Sequence, residues 1–195
     1  DSRAMKDVYI ETLIKLAEED QRIVVLDADL MHSNSTIRFM ETYPGRAINV
    51  GVQEANMIGT AAGLAATGKI PFTHTFSCFN TRRALDQIYM SVAYAKLNVK
   101  VVGTDPGITA AYNGGTHMPL EVMGVVRGIP TMTVIEPVDN VMMEALVKDI
   151  AYLLERDMKS GAREAGLVVS ETVAAAARET AWGCVRMVLE SSLIV

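Results

Sequence analysis

Apolar positions along the first part of the chain change their spacing, and the change marks a helix followed by a strand. Residues 4–19 place Met5, Val8, Tyr9, Leu13, Leu16 and Ala17 three and four apart, which makes one apolar face of a helix that leads out through acidic residues. IVVLD (23–27) is then apolar and β-branched without alternation and ends in acid, as expected of a parallel strand covered on both faces. RAINV (46–50), PFTHTF (71–76), VKVVGT (99–104) and TMTVIE (131–136) repeat that signature, and segments of helical length, 54–67, 80–95, 118–127 and 139–155, separate them. The order predicts an α/β fold: a doubly wound, mostly parallel sheet with helices on both faces.

Sheets of this kind bind ligands beyond the carboxyl ends of their strands. The stretches to inspect are therefore DADLMHSNS, GVQE, THTFSCF, GTDPGITAAYNGGTH and EPVDN. His32, His74, His117, Ser33, Glu54, Phe76, Phe79 and Asn113 all fall there, and a single pocket would gather them. Glu54 stands where an apolar segment passes into small residues of helical pattern, a place where an acid is also favoured by the helix dipole alone. In GGTHMP (114–119) two glycines permit a tight loop, and Pro119 is well placed for a first helical turn, so that His117 sits at a helix entry.

Composition narrows the field. The chain has 195 residues, half of them hydrophobic, which suffices for a core and is most simply one globular domain. With a net charge of −5 and scattered positive residues, nothing suggests a nucleic-acid groove or an anionic membrane surface. Cys78 and Cys184 have no metal-site spacing and read as inert thiols in a reducing compartment. No basic-then-apolar leader or charge-free spanning stretch is present, so a cytoplasmic protein is expected. The glycine-rich nucleotide cradles, HExxH, paired-Cys and Ca-loop patterns, and the serine elbow are all absent. An acid, an imidazole, two spaced phenylalanines and many glycines remain, a set that suits holding an organic cofactor.

RAINVGVQEANMIGTAAGLAATGKIPFTHTF followed by GTDPGITAAYNGGTHMP resembles the pyrimidine-binding domain of thiamine-diphosphate enzymes of the transketolase group, in particular the C-terminal subunit of split transketolases. The resemblance runs from about Ser2 to Asp139 and implies a thiamine-diphosphate-binding fold over residues 1–150. It implies that Glu54 hydrogen-bonds N1′ of the cofactor aminopyrimidine and favours the imino tautomer that deprotonates the thiazolium C2. A carboxyl in a largely apolar interface can share a proton with a ring nitrogen. It further implies Phe79 packed on the pyrimidine with Phe76 beside it, Asp29 near the cofactor, Arg3 and Ser33 on a substrate phosphate, and His117 on donor-sugar hydroxyls. A guanidinium fork suits phosphate.

Departures accompany the match. Asn113 stands where many relatives carry an acid, so donor preference is open. His74 replaces a small residue and is expected either as an extra pocket contact or, preferably, at a solvent-facing strand end. Residues 151–195 read as an atypical, mainly helical tail, in which CVRMVL resembles a last strand and Arg186 a weak phosphate candidate. Residues 152–183 have no counterpart in the family, and the missing third domain suggests a truncated, processed or unusual chain. The GDG motif that marks cofactor-pyrophosphate binding is absent. The resemblance therefore implies a partner, the N-terminal pyrophosphate-domain subunit, holding Mg2+ through oxygen ligands, with no metal ligand from this chain and a dimer or heterotetramer as the assembly. The implied reaction moves a ketol unit between phosphorylated sugars. The alternatives are the β subunit of a 2-oxo acid dehydrogenase, a deoxyxylulose-phosphate synthase-like enzyme, or a non-catalytic assembly module.

Overall fold

The computed structural model describes residues 2–160. Strands β1 (Ile23–Asp27), β2 (Ala47–Asn49), β3 (Ile70–Phe76) and β4 (Lys100–Thr104) form one parallel sheet in the order β2-β1-β3-β4. Val25 on the central β1 pairs with Ala47 on one side and Phe72 on the other. The helices are α1 (Met5–Glu19), α2 (Ile37–Thr42), α3 (Glu54–Ala66), α4 (Leu85–Gln87), α5 (Val122–Arg127) and α6 (Asn140–Ser160). α4 is one short piece of a continuous helical stretch, flanked by π-wound turns at Phe79–Arg83 and Ile88–Tyr94.

Alternation along β1 divides the core between two faces. Ile23 and Val25 pack with Tyr9, Ile10 and Leu13 of α1, Phe39 of α2 and Val147 of α6. Val24 and Leu26 pack with Met57, Ile58 and Ala61 of α3 and with Ile88 and Val92 of the π-wound stretch. Helices thus cover both faces, the doubly wound arrangement expected of unalternating apolar strands. β4 passes close to the turn after β3. A Cβ on Gly103 would lie 2.7 Å from Ser77 Cα, so only glycine fits there without moving backbone.

Three expectations need correction. TMTVIE (131–136) forms no strand: Thr131 is left-handed at φ 70°, its Oγ1 donates to the Ala93 carbonyl at 2.8 Å, and residues 132–138 run on irregularly outside the ladder. The helix sought at 118–127 begins only at Val122, and Pro119 precedes it, its carbonyl accepting the Gly107 N–H at 2.9 Å. His74 does not face solvent: it is 1% exposed, with Nε2 2.6 Å from the Tyr9 hydroxyl and Nδ1 3.1 Å from the Leu26 carbonyl. Burial lowers its pKa from 6.5, against the opposing pull of Asp27.

Residue 150 lies inside α6, which continues to Ser160. The CVRMVL strand, Arg186 and Cys184 lie outside the described residues, whereas Cys78 is buried, and burial pushes its thiol pKa up. Among the described residues no helix is long and apolar enough to cross a membrane.

Candidate functional site

The carboxyl ends of the strands are knitted together by backbone bonds. Ala28 donates to the His74 carbonyl at 3.1 Å, Val50 to Asp27 at 3.0 Å and Ser77 to Thr104 at 2.7 Å. Asp27, fully buried at the tip of β1, organises the loop that follows: its carboxylate accepts the Leu30 N–H at 2.6 Å, Asn34 Nδ2 at 3.0 Å and Thr36 Oγ1 at 2.7 Å. Asn34 in turn accepts Thr104 Oγ1 at 2.8 Å, tying this loop to the end of β4. The chain leaves the strands through left-handed residues, Asp29 (φ 64°) after β1, Gly51 (φ 74°) after β2 and Asp105 (φ 51°) after β4. Two of these are not glycine, a costly backbone choice of the kind that gathers at functional loops.

Glu54 is the first residue of α3 and 3% exposed, so its carboxylate sits at the positive end of that helix dipole. Arg83 Nη1 donates to Glu54 Oε1 at 2.8 Å. The same guanidinium lies over the Phe79 ring, with Cζ 4.0 Å from the centroid. Phe79 and Arg83 are four apart on the π-wound turn that opens after β3, and that winding keeps them on one side. Phe76 closes β3, with its ring 6.3 Å from Phe79. His117, in the short turn Gly115–His117, meets both rings edge-on, 5.9 Å from Phe76 and 5.1 Å from Phe79. Its Nδ1 is hydrogen-bonded to Thr116 Oγ1 at 2.8 Å.

Four of the expected residues, Glu54, Phe76, Phe79 and His117, therefore converge from three separate segments on one site. A buried carboxylate beside aromatic rings suits a flat ring that carries polar nitrogen. The other expected residues stand on other segments: Arg3 before α1, Asp29 and Ser33 in the loop after β1, and Asn113 in the turn Ala111–Asn113. Arg3 pairs with Glu11 at 2.5 Å, and Glu11 also holds Arg38 at 3.0 Å. The Arg38 hydrogen bond is the main reason that the Glu11 carboxyl lies below its ordinary range. The Ser33 carbonyl accepts Lys6 Nζ at 2.9 Å, and Asp29 accepts Asn49 Nδ2 at 3.0 Å. Asn113 ends the exposed turn Ala111–Asn113.

Sequence reasoning passed over Arg83, Arg82 and Asp27. Arg82 pairs with Glu121 at 3.1 Å, joining the π-wound turn to the residue before α5. The adjacent arginines read as an ordinary solvated helix face, and nothing local marks which carboxylate each would meet. The signal for Asp27 was present in its place at the end of an apolar strand, just before Asn34 and Thr36. Among the described residues no group of three His, Cys, Asp or Glu side chains can hold a metal ion.

The family profile described as transketolase, pyrimidine binding domain, matches residues 1–159. The chain belongs to this family. A relative from Clostridium sp., the 6-deoxy-6-sulfo-D-fructose transketolase subunit, is 59% identical over 146 residues, which is 75% of this chain and 45% of that protein. A transketolase C-terminal section of Methanocaldococcus jannaschii is 46% identical over 149 residues, 76% of this chain and 47% of the relative. Among solved structures, a split gene transketolase described as an inactive beta4 tetramer superposes with a TM-score of 0.69 at 40% identity, covering 77% of this chain and 48% of that one. The chain thus spans less than half the length of these transketolase relatives. Its fold is the thiamine-diphosphate-binding fold of the transketolases.

Proposed function

We propose that this chain forms the pyrimidine-binding wall of a two-polypeptide, thiamine-diphosphate-dependent transketolase that moves a two-carbon ketol unit between phosphorylated sugars. The observation that carries the reading is Glu54, a carboxylate 3% exposed, held beside Phe79 with Phe76 and His117 around it. These residues fit an aminopyrimidine: the acid meets a ring nitrogen that takes up and gives back a proton, and the phenylalanines offer an apolar face. Thiamine diphosphate held there would supply the electron sink that ketol transfer needs. Glu54 holds and exchanges the proton at N1′. Phe79 and Phe76 orient the ring and keep water from it, and Asp29 lies on a neighbouring strand-end loop, near the cofactor in this reading. His117 and Asn113 offer polar groups to donor hydroxyls, and Arg3 and Ser33 serve the substrate anion once Arg3 exchanges its Glu11 partner.

The other wall and the Mg2+ ligands are assigned to an N-terminal pyrophosphate-domain subunit in a dimer or heterotetramer, in the cytoplasm. Val52, Ile108, Tyr112 and Leu120 are 67%, 72%, 86% and 81% exposed on the loops at and beside the site, an apolar surface suited to a protein partner. The relative described as an inactive beta4 tetramer supports dependence on a second subunit. A second reading of the substrate is favoured by the Clostridium relative: a sulfonate in place of the phosphate, an anion that the same guanidinium and hydroxyl recognise.

The test is to co-purify the chain with its partner and assay ketol transfer with thiamine diphosphate and magnesium, using fructose 6-phosphate and 6-deoxy-6-sulfofructose as competing donors. Transfer should require both polypeptides, and the donor with the higher kcat/KM names the anion. Submicromolar cofactor binding by this chain alone overturns the two-subunit reading, and a complex without ketol transfer overturns the activity.

A further inference from the structure

Arg83 stands where the proposed ring must lie. Its guanidinium is planar, covers the Phe79 face at 4.0 Å, and gives an N–H to Glu54 Oε1 at 2.8 Å. Those are the two interactions that an aminopyrimidine takes from this chain in the reading above: stacking on Phe79 and a hydrogen bond with Glu54. A flat cation and a flat heterocycle compete for the same face and the same carboxyl group. The need for a stand-in is physical, because a carboxylate as buried as Glu54 is costly without a partner, and no other hydrogen bond to its side chain is found among the described residues. The Arg83 side chain is 48% exposed against 3% for Glu54, so the guanidinium has solvent into which to swing while the acid stays fixed at the start of α3.

We propose that Arg83 is a placeholder for the aminopyrimidine: it pairs Glu54 and covers Phe79 until the cofactor ring displaces it. The proposal rests on the assignment of Glu54 and Phe79 to the pyrimidine site. Cofactor binding then exchanges the guanidinium for a flat ring whose N1′ shares with Glu54 a proton taken up on binding. Its rate contains the opening of the Arg83–Glu54 pair, and its equilibrium is weakened by the pair's stability. Arginine is suited to this role where lysine is not, since an ammonium pairs with the acid but does not blanket a ring.

The experiment uses the complex with the partner subunit and thiamine diphosphate with magnesium, following binding by calorimetry and by stopped-flow spectroscopy. Arg83→Ala should tighten the cofactor Kd and raise its association rate, each by about tenfold, the size of one lost charge-assisted competitor. Arg83→Lys should fall between the variant and the wild type and guards against a folding defect in the alanine protein. A Kd that is unchanged or weakened in both variants overturns the proposal and makes Arg83 a fixed support of Glu54. The site assignment fails separately: a wild-type complex that binds no cofactor, or whose binding and C2 exchange are indifferent to Glu54→Gln, removes the pyrimidine site and the placeholder with it.

Discussion

Two buried carboxylates of the fold are treated in opposite ways. Asp27, at the tip of β1, is held three times over: Leu30, Asn34 and Thr36 all donate to it, at 2.6–3.0 Å, and none of these donors can leave without dismantling the loop. Glu54, at the start of α3, has one side-chain partner from a half-exposed arginine. Burial is alike, 0% and 3%. The difference lies in the partners: Asp27 is held by three donors of its own loop, whereas Glu54 has a single half-exposed partner, which in the proposed function the cofactor ring replaces. Burial alone does not separate the two roles.

The sharpest way to break this comparison is to neutralise each acid in turn. Glu54→Gln in the assembled complex should slow hydrogen–deuterium exchange at the cofactor C2 by roughly 10²–10⁴-fold, the range for a positioned acid–base group. The unfolding midpoint of the chain should change little. An unchanged exchange rate returns Glu54 to the rank of a helix-end acid. Asp27→Ala should do the reverse, leaving three donors without their acceptor and lowering stability by about 2–5 kcal/mol in chemical denaturation. A stability loss below about 0.5 kcal/mol, the size of an ordinary surface change, contradicts the structural role given to Asp27.

A smaller effect sharpens the picture around Asp27, through its neighbour His74. Burial holds the folded His74 pKa below 6.5, so the unfolded chain binds the proton more readily. The contribution of His74 to stability is therefore complete above about pH 6.5 and is lost as the pH falls from there toward the folded value. Melting temperature should drop on acidification through that window, and His74→Gln should flatten the slope whatever it does to the absolute midpoint. A slope that survives the substitution assigns the titration to another group.

The strands at 23–27, 71–76 and 99–104 were legible because an apolar run without alternation, in an α/β chain, fits little besides a strand covered on both faces. TMTVIE carried the same side-chain signal and failed because a strand is defined by its hydrogen-bonded neighbour, which lies outside the pattern; the left-handed Thr131 delivers that segment outside the ladder. His74 was misplaced for a related reason. What buries it is Tyr9, 65 residues earlier, a contact that no local window contains. The convergence of Glu54, Phe76, Phe79 and His117 was readable as strand-end position plus family resemblance. Arg83 was not, since a charged side chain in a helical run looks solvated until its ring and its acid are both in view.

Gly103 gives the aromatic site a mechanical gauge. β4 clears Ser77 by no more than the absence of one methyl group allows, and Phe79 follows Ser77 by two residues. Sheet spacing and ring placement are thereby machined to a single tolerance. Even the smallest side chain at 103 would be absorbed as displacement of the segment that presents Phe79, because the obstructing atom is backbone and cannot rotate aside. Sequence drift at a residue that touches neither cofactor nor substrate in this reading is thus coupled to catalytic geometry, and the freedom of β4 to vary stops at that position.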